Sequence, residues 1–361
     1  MVKVLHIGTT TLAHIWEVIK QIEEFTDFKN VILSDSAYIY SDNSKRFPNI
    51  PVYVFDHKHN FDQKAMEKFI SVLINKEKPD LIIGHSLFEV SVLLKFALTI
   101  SNVPGIGVPW GVHDFIQRKN QRAIFLNNLS VIKHLNFLAE TNSALISLAA
   151  NTYGITQTDF IFTGTAIDLE QYTNHVPDTT IPKLLLAKPR CERYIYESLP
   201  AVFKKYPKLE VHAFTNDQGC SLAKQLGVYN KIIYHNYPLP QKDFANLIKK
   251  CNIVHTITGD PGTGGTALQA SYAGCINLMR RGSYSLGILD DRVNAIWCER
   301  STKDVTNKLL YSIKNLTVLC NEFKKNNKHL IKYDQLNTWK HLYQGMQDCL
   351  SGKKGKIISS K

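Results

Sequence analysis

The chain has 361 residues, a formal charge of +12 and a pI near 9.2, with 44% apolar residues. Its length predicts two domains. No apolar run reaches the roughly 18 residues of a membrane-spanning helix. The seven cysteines, Cys191, Cys220, Cys251, Cys275, Cys298, Cys320 and Cys349, stand singly with no CxxC pair. That spacing excludes a disulfide framework and a zinc site, and suits a reducing cytoplasm. A positive balance of this size fits nucleic acid, an anionic membrane surface or a phosphorylated substrate. No zinc-finger, RRM or KH signature accompanies it, so no nucleic-acid partner is expected.

The first residues, Met-Val-Lys-Val-Leu-His-Ile-Gly, read as a strand over 2–8 and not as a secretory leader, because polar residues follow at once. Thr9-Thr-Thr-Leu-Ala-His14 supplies hydroxyl caps for a helix running to about Phe25. Short strands follow at 31–33 and 52–55. A helix over 62–75 carries Ala65, Phe69, Val72 and Leu73 at helical spacing. A strand over 80–84 runs into His85, a helix covers 88–100, and a strand over 104–109 runs into Trp110-Gly-Val-His-Asp114. Residues 123–142 hold a helix and a strand, 143–151 a helix, and 160–163 a last strand before Gly164-Thr-Ala-Ile-Asp168. This alternation predicts one doubly wound α/β domain over 1–170.

Residues 171–182, polar and holding two prolines, read as a linker. The pattern then restarts over 183–330. Strands are expected at 183–187, 209–214, 232–234, 253–257 and 275–279, helices at 192–206, 220–226, 242–250 and 266–273, and one long helix at 302–328. Residues 331–350 end in an amphipathic helix with Trp339, Leu342, Tyr343 and Met346, and 351–361 form a basic tail. The tail can dock on anionic lipid or simply be solvated. Two α/β units joined by a linker predict a ligand cleft between them.

The stretch Thr258-Gly-Asp-Pro-Gly-Thr-Gly-Gly-Thr-Ala-Leu-Gln-Ala-Ser-Tyr-Ala-Gly274 stands out. An apolar strand enters it, four glycines form its loop, a helix follows, and Gly274 stops that helix. Glycines let backbone N–H groups approach a ligand, and a helix N-terminus favours negative charge. The loop is therefore a cradle for a diphosphate, or merely a tight turn. The amides of residues 262–266, that is Gly262, Thr263, Gly264, Gly265 and Thr266, would line it, with the two threonine hydroxyls assisting. No Asp-x-Asp pair is present, and the adjacent Asp290 and Asp291 read as solvent-facing, so no metal is expected.

Several short motifs in order resemble the retaining GT-B glycosyltransferases, in particular family four. Lys78-Pro-Asp-Leu-Ile-Ile-Gly-His85 resembles the end of one family strand, and Pro104 to Asp114 the next, which closes on a His-Asp or His-Gly pair. Asn142-Ser-Ala-Leu-Ile-Ser-Leu-Ala, Phe162-Thr-Gly-Thr-Ala-Ile-Asp168 and residues 253–274 resemble a helix entry, the hinge strand and the donor loop. The final helix with Trp339 is similar to one that crosses back onto the first domain. The resemblance implies two Rossmann-like, doubly wound domains facing a central cleft. The first would be the acceptor domain and the second the nucleotide-sugar donor domain. It further implies sugar transfer with retention from a UDP-sugar to a saccharide or lipid-linked acceptor, in surface polysaccharide or glycolipid synthesis. The UDP-sugar is a co-substrate, so no cofactor is expected. A cytoplasmic protein, peripheral at the inner face of the membrane, would fit.

The departing diphosphate needs cations or hydrogen-bond donors. Lys188 and Arg193 have the spacing of the family's diphosphate clamp with the residue types exchanged, and Arg190 lies between them. Cations there oppose a helix dipole, which favours a ligand-binding role over plain surface charge. Where the family carries two glutamates in its donor loop, this chain has Pro261 and Gln269; a neutral Gln269 can still bond ribose hydroxyls. The resemblance places His113 beside the donor sugar. On the acceptor side, His85, Asp114 and the loop residues Thr9 and Thr10 are expected. Arg280 and Arg281 are phosphate ligands or surface residues. Two other readings remain open: a UDP-sugar 2-epimerase of the same fold, and a non-catalytic basic binding protein on a GT-B scaffold.

Overall fold

A computed structural model describes residues 1–8, 13–34, 49–55, 62–85, 87–109, 130–140, 160–162, 167–187, 193–236, 239–256, 265–280 and 288–354. The chain divides into two compact units, residues 1–166 with 336–361, and residues 167–335. Among the described residues no helix is long and apolar enough to cross a membrane. The six described cysteines are free.

The first unit is built on a parallel sheet of seven strands. These are β1 (Lys3–Gly8), β2 (Lys29–Ser34), β3 (Val52–Val54), β4 (Leu81–His85), β5 (Gly105–Val108), β6 (Phe137–Glu140) and β7 (Phe160–Phe162). Their order is β3-β2-β1-β4-β5-β6-β7. His85 thus belongs to β4, one residue beyond the expected end of that strand. Helices α1 (Ala13–Phe25), α2 (Gln63–Glu77) and α3 (Leu87–Ser101) connect them. Asp62 starts α2 by accepting hydrogen bonds from the Lys64 and Ala65 amides, and Lys78 ends it in the left-handed conformation at φ 48°. The buried stripe of α2 is Met66, Ile70 and Leu73, whereas Val72 is 60% exposed and Ala65 is also exposed. Of the four expected positions Leu73 is buried and Phe69 is half-buried beside the Phe55 ring, while Ala65 and Val72 face solvent, so the buried stripe is rotated from the expected one. Two apolar rows compete on this helix, and the row Met66, Ile70 and Leu73 is the one buried. One face of the sheet, with Val4, Leu81, Ile83, Ile106 and Val108, packs against Val18 and Ile22 of α1.

In the second unit the strands are β8 (Lys183–Leu186), β9 (Glu210–Phe214), β10 (Ile232–His235), β11 (Ile253–His255), β12 (Ile276–Arg280) and β13 (Ile296–Cys298). All are parallel, in the order β10-β9-β8-β11-β12-β13. Helices α4 (Arg193–Lys205), α5 (Asp217–Gln225), α6 (Gln241–Lys250) and α7 (Gly265–Tyr272) lie between them. Strand β13 is an addition to the expected set; its three residues are too few to show a period. The expected long helix over 302–328 is two helices, α8 (Thr302–Lys314) and α9 (Leu316–Asn326). They break at Asn315, whose side-chain amide bonds the Tyr311 carbonyl at 2.9 Å and so competes with the helical ladder. The last helix, α10 (Gln335–Leu350), buries Trp339, Leu342, Met346 and Cys349 in the core of the first unit, and leaves Tyr343 partly exposed.

The stretch expected as a linker is instead fastened to the second unit. Tyr172 is fully buried, and the Asn252 side chain donates to the carbonyls of Asp178 (2.7 Å) and Ile181 (2.8 Å). Asp291 also differs from its solvent-facing expectation. Its carboxylate accepts from the Trp297 amide at 2.8 Å and pins the turn into β13, while Asp290 is exposed.

Candidate functional site

In open parallel sheets, ligands bind at the carboxyl ends of the strands where the strand order reverses. Each unit has one such point, β1/β4 in the first and β8/β11 in the second.

At the second point, β8 and β11 are stitched at their ends by the Ala187 amide donating to the His255 carbonyl at 3.1 Å. After β11, Thr256 donates its hydroxyl to Asn277 Oδ1 at 2.7 Å. The Asn277 Nδ2 then donates to the Ala267 carbonyl (3.3 Å) and Ser271 Oγ (3.2 Å) of α7. One asparagine of β12 therefore ties Thr256, just after β11, to helix α7. The rear of α7 is closed with equal care. Gly274 sits at φ 86°, and the Gly274 and Cys275 amides return to the Ser271 and Ala270 carbonyls. Lys324 Nζ donates to the carbonyls of Tyr272 and Tyr172, both at 2.9 Å. The Lys324 ammonium at the C-terminus of α7 interacts favourably with the negative end of the helix dipole. Helix α7 opens with Gly265 and Thr266, both half-buried, where a helix N-terminus favours negative charge.

Of the residues singled out in the sequence, Gly265, Thr266 and Gln269 lie on α7, Gln269 with 8% of its surface exposed. Arg193 opens α4, where its guanidinium pairs with Glu197 one turn on, and Glu197 also accepts from Thr302 Oγ1. That pair gives Arg193 a local partner and still leaves donors of its fork unused by Glu197. Arg280 is half-buried at the end of β12. Thr9, Thr10, His113, Asp114, Lys188, Arg190, Gly262, Thr263, Gly264 and Arg281 lie outside the described residues.

At the first point His85 ends β4, fully buried. Gly8 makes room for it, because a Cβ at Gly8 would lie 3.0 Å from His85 Cβ and 3.0 Å from Ile15 Cδ1. His85 Nε2 is 3.0 Å from His6 Nδ1, and the two rings stack with centroids 5.3 Å apart. His6 Nε2 in turn meets Asn30 Oδ1 at 2.9 Å. Burial pushes the His6 pKa down to about 4.

Sequence reasoning missed His255. It ends β11 at the second switch point, fully enclosed, and neither ring nitrogen bonds another residue. Burial lowers its pKa to about 3, so the ring is neutral. The signal was present: a histidine within the apolar run Ile253-Val-His-Thr-Ile257 is a polar group without an evident partner. Among the described residues, no group of three His, Cys, Asp or Glu side chains is arranged to hold a metal ion.

No family model matches the sequence, and no curated protein matches it either. Solved structures do. A glycosyltransferase from Rickettsia africae superposes with a TM-score of 0.77 at 12% identity, over 97% of this chain and 98% of that one. Anabaena HepE in complex with UDP and glucose gives 0.75 at 11% identity, over 96% of this chain and 100% of that one. A proposed UDP-N-acetylglucosamine 2-epimerase from Listeria monocytogenes gives 0.67 at 16% identity, over 99% of each chain. Likeness over the whole length shows that this chain has the GT-B fold of glycosyltransferases.

Proposed function

We propose that the protein is a retaining, metal-independent glycosyltransferase that moves a sugar from a UDP-linked donor to a saccharide or lipid-linked acceptor. The setting is surface polysaccharide or glycolipid synthesis at the cytoplasmic face of a membrane. The observation that carries the reading is α7: a helix braced at both ends, its N-terminus at the carboxyl edge of the second sheet, in a fold that HepE uses in complex with UDP. In this reading the α7 amides, Thr266 and the glycine loop hold the diphosphate with Lys188, Arg190 and Arg193, and Gln269 bonds the ribose. The bond from the sugar's anomeric carbon to the phosphate oxygen breaks, and its electron pair leaves on UDP. An acceptor hydroxyl attacks that carbon and gives its proton to the departing phosphate. His113 positions the donor sugar, while His85, Asp114, Thr9 and Thr10 serve the acceptor.

The likeness to the Listeria protein favours one second reading, epimerisation of a UDP-sugar without an acceptor. A single experiment separates them. UDP is titrated calorimetrically, and a panel of UDP-sugars is then incubated with the protein in EDTA, with and without saccharide acceptors, and analysed by mass spectrometry and NMR. Transfer only in the presence of an acceptor is expected. An epimerised nucleotide sugar formed in its absence supports the second reading, and a failure to bind UDP removes both.

A further inference from the structure

At the edge of the second sheet an open groove of about 290 Å³ runs between β13 and α8. Strand β13 lies two places beyond β11, away from the donor-side switch point. One wall is a single stripe of α8. Asp304, Asn307, Lys308 and Tyr311 recur at i, i+3, i+4 and i+7 and so share one helix face. The neighbouring row, Val305, Leu309 and Ile313, is buried and fixes that face in place. The other wall is Arg292 and the buried Ile296. Arg292 has φ 59°, a left-handed conformation that glycine or asparagine adopts at less cost than arginine. Its turn is firmly bonded. The Arg292 amide donates to the Ala295 carbonyl at 2.7 Å, and the amides of Val293, Asn294 and Ala295 converge on the Asp290 carbonyl, each at 3.2 Å. A rigid, strained backbone therefore sets an arginine side chain at the groove, and such strain is characteristic of ligand-binding positions.

We propose that this groove is a second saccharide site, which holds an acidic sugar, one bearing a carboxylate or a phosphate, of the acceptor or product glycan. Neither Arg292 nor Lys308 has an ion-pair partner among the described residues. These two cations face one carboxylate, Asp304, which accepts from the Glu299 amide at 2.8 Å. The balance favours an anionic ligand. Asp304 also argues against a bare anion, because an inorganic phosphate would meet a like charge. A ligand with hydroxyls beside its acid group satisfies both, donating to Asp304 and accepting from Arg292, Lys308 and Asn307. The Tyr311 ring, 45% exposed, and Ile296 offer apolar surface to the C–H face of a sugar ring. The volume lies at the small end of the range for ligand pockets, which suits a short saccharide. An extended peptide would have to pair with the outer edge of β13, and that edge is taken: Asp291 Oδ1 holds the Trp297 amide at 2.8 Å and the Arg292 amide holds the Ala295 carbonyl. The choice of a glycan rests on the transferase reading, whereas the charge and the strained turn do not.

The test is an NMR titration of the full chain with three disaccharides: one ending in glucuronate, one carrying a phosphomonoester, and their neutral parent. At least one acidic disaccharide is expected to bind more tightly than the neutral one. Its Kd should rise on the order of tenfold in Arg292→Gly, Lys308→Gln and Tyr311→Ala. Arg292→Gly removes the cation from a backbone that suits glycine, so it keeps the fold while removing the contact. UDP affinity, measured by calorimetry, should stay at the wild-type value in all three variants. No binding of either acidic disaccharide, equal binding of the neutral one, or an unchanged Kd in the variants overturns the proposal. Equal binding of inorganic phosphate would leave a plain anion patch, and tighter binding of a glutamate hexapeptide would point to a protein partner; either result also overturns it. A loss of UDP affinity in step with saccharide affinity overturns the separateness of the groove. The disaccharides are titrated without UDP, so they decide the groove even if the wild type binds no UDP, a result that would instead count against the transferase reading.

Discussion

His255 and His6 are the residues whose burial has the clearest solution consequence. Their pKa values fall from 6.5 to about 3 and about 4. Below pH 6.5 the unfolded chain binds protons that the folded chain refuses, so stability is full above that pH and declines as pH drops toward 4. Each group contributes a slope of about 1.4 kcal/mol per pH unit in that window. Urea unfolding between pH 7 and 5 should show this decline. His255→Leu should flatten it by one proton and raise stability at pH 7, because it deletes two buried polar atoms that bond no other residue. An unchanged slope would mean that His255 titrates normally. On the ligand side, Lys188→Ala, Arg193→Ala and His113→Ala should each lower kcat/KM by roughly a hundredfold with the melting temperature within a degree or two of the wild type. Arg193→Ala should cost least, since Glu197 already shares its charge.

Helix α7 is the element on which the donor reading stands, and its termination can be tested directly. Gly274 has φ 86°, and a Cβ there would meet Lys324 Cβ at 3.0 Å. Gly274→Ala should therefore destabilise the protein by about 1–2 kcal/mol from the left-handed backbone alone, measured by urea unfolding. The sequence revealed this element almost in full, because an apolar strand, a glycine loop, a helical run and a closing glycine are all local signals. It did not reveal Asn277 and Lys324, which brace the helix from β12 and α9, because those contacts are set by tertiary packing. The same division holds elsewhere. The parallel strands were legible as apolar runs, whereas the break at Asn315, the rotated face of α2 and the three-residue β13 turned on side-chain competition or on partners distant in sequence. His85 was readable at a strand end, but its commitment to His6 and Asn30 was not, since β1, β2 and β4 meet only in the folded sheet.

For the whole molecule, the net charge of +12 is the property to test. Lys353 is engaged, its ammonium with Asp348 at 2.8 Å and its carbonyl with Asn136 at 3.1 Å. Removing residues 354–361 deletes three further lysines, Lys354, Lys356 and Lys361, without touching those contacts. If the tail docks on lipid, sedimentation with vesicles rich in anionic phospholipid should weaken by about two orders of magnitude, at roughly 1 kcal/mol per lysine. Neutral vesicles should show no difference, and equal binding of the two forms to anionic vesicles would reduce the tail to a solvated end.

Lys324 ties together three stretches far apart in the chain, through its own helix α9 and the carbonyls of Tyr172 and Tyr272. A single ammonium with two such anchors works as a tie-rod, so its loss should be felt as local opening more than as global unfolding. In Lys324→Met, amide hydrogens of residues 265–272 should exchange with deuterium markedly faster, while those of β8, β9 and β11 keep their wild-type protection. Acetylation of that one amine would act in the same way, loosening α7 at its C-terminal end.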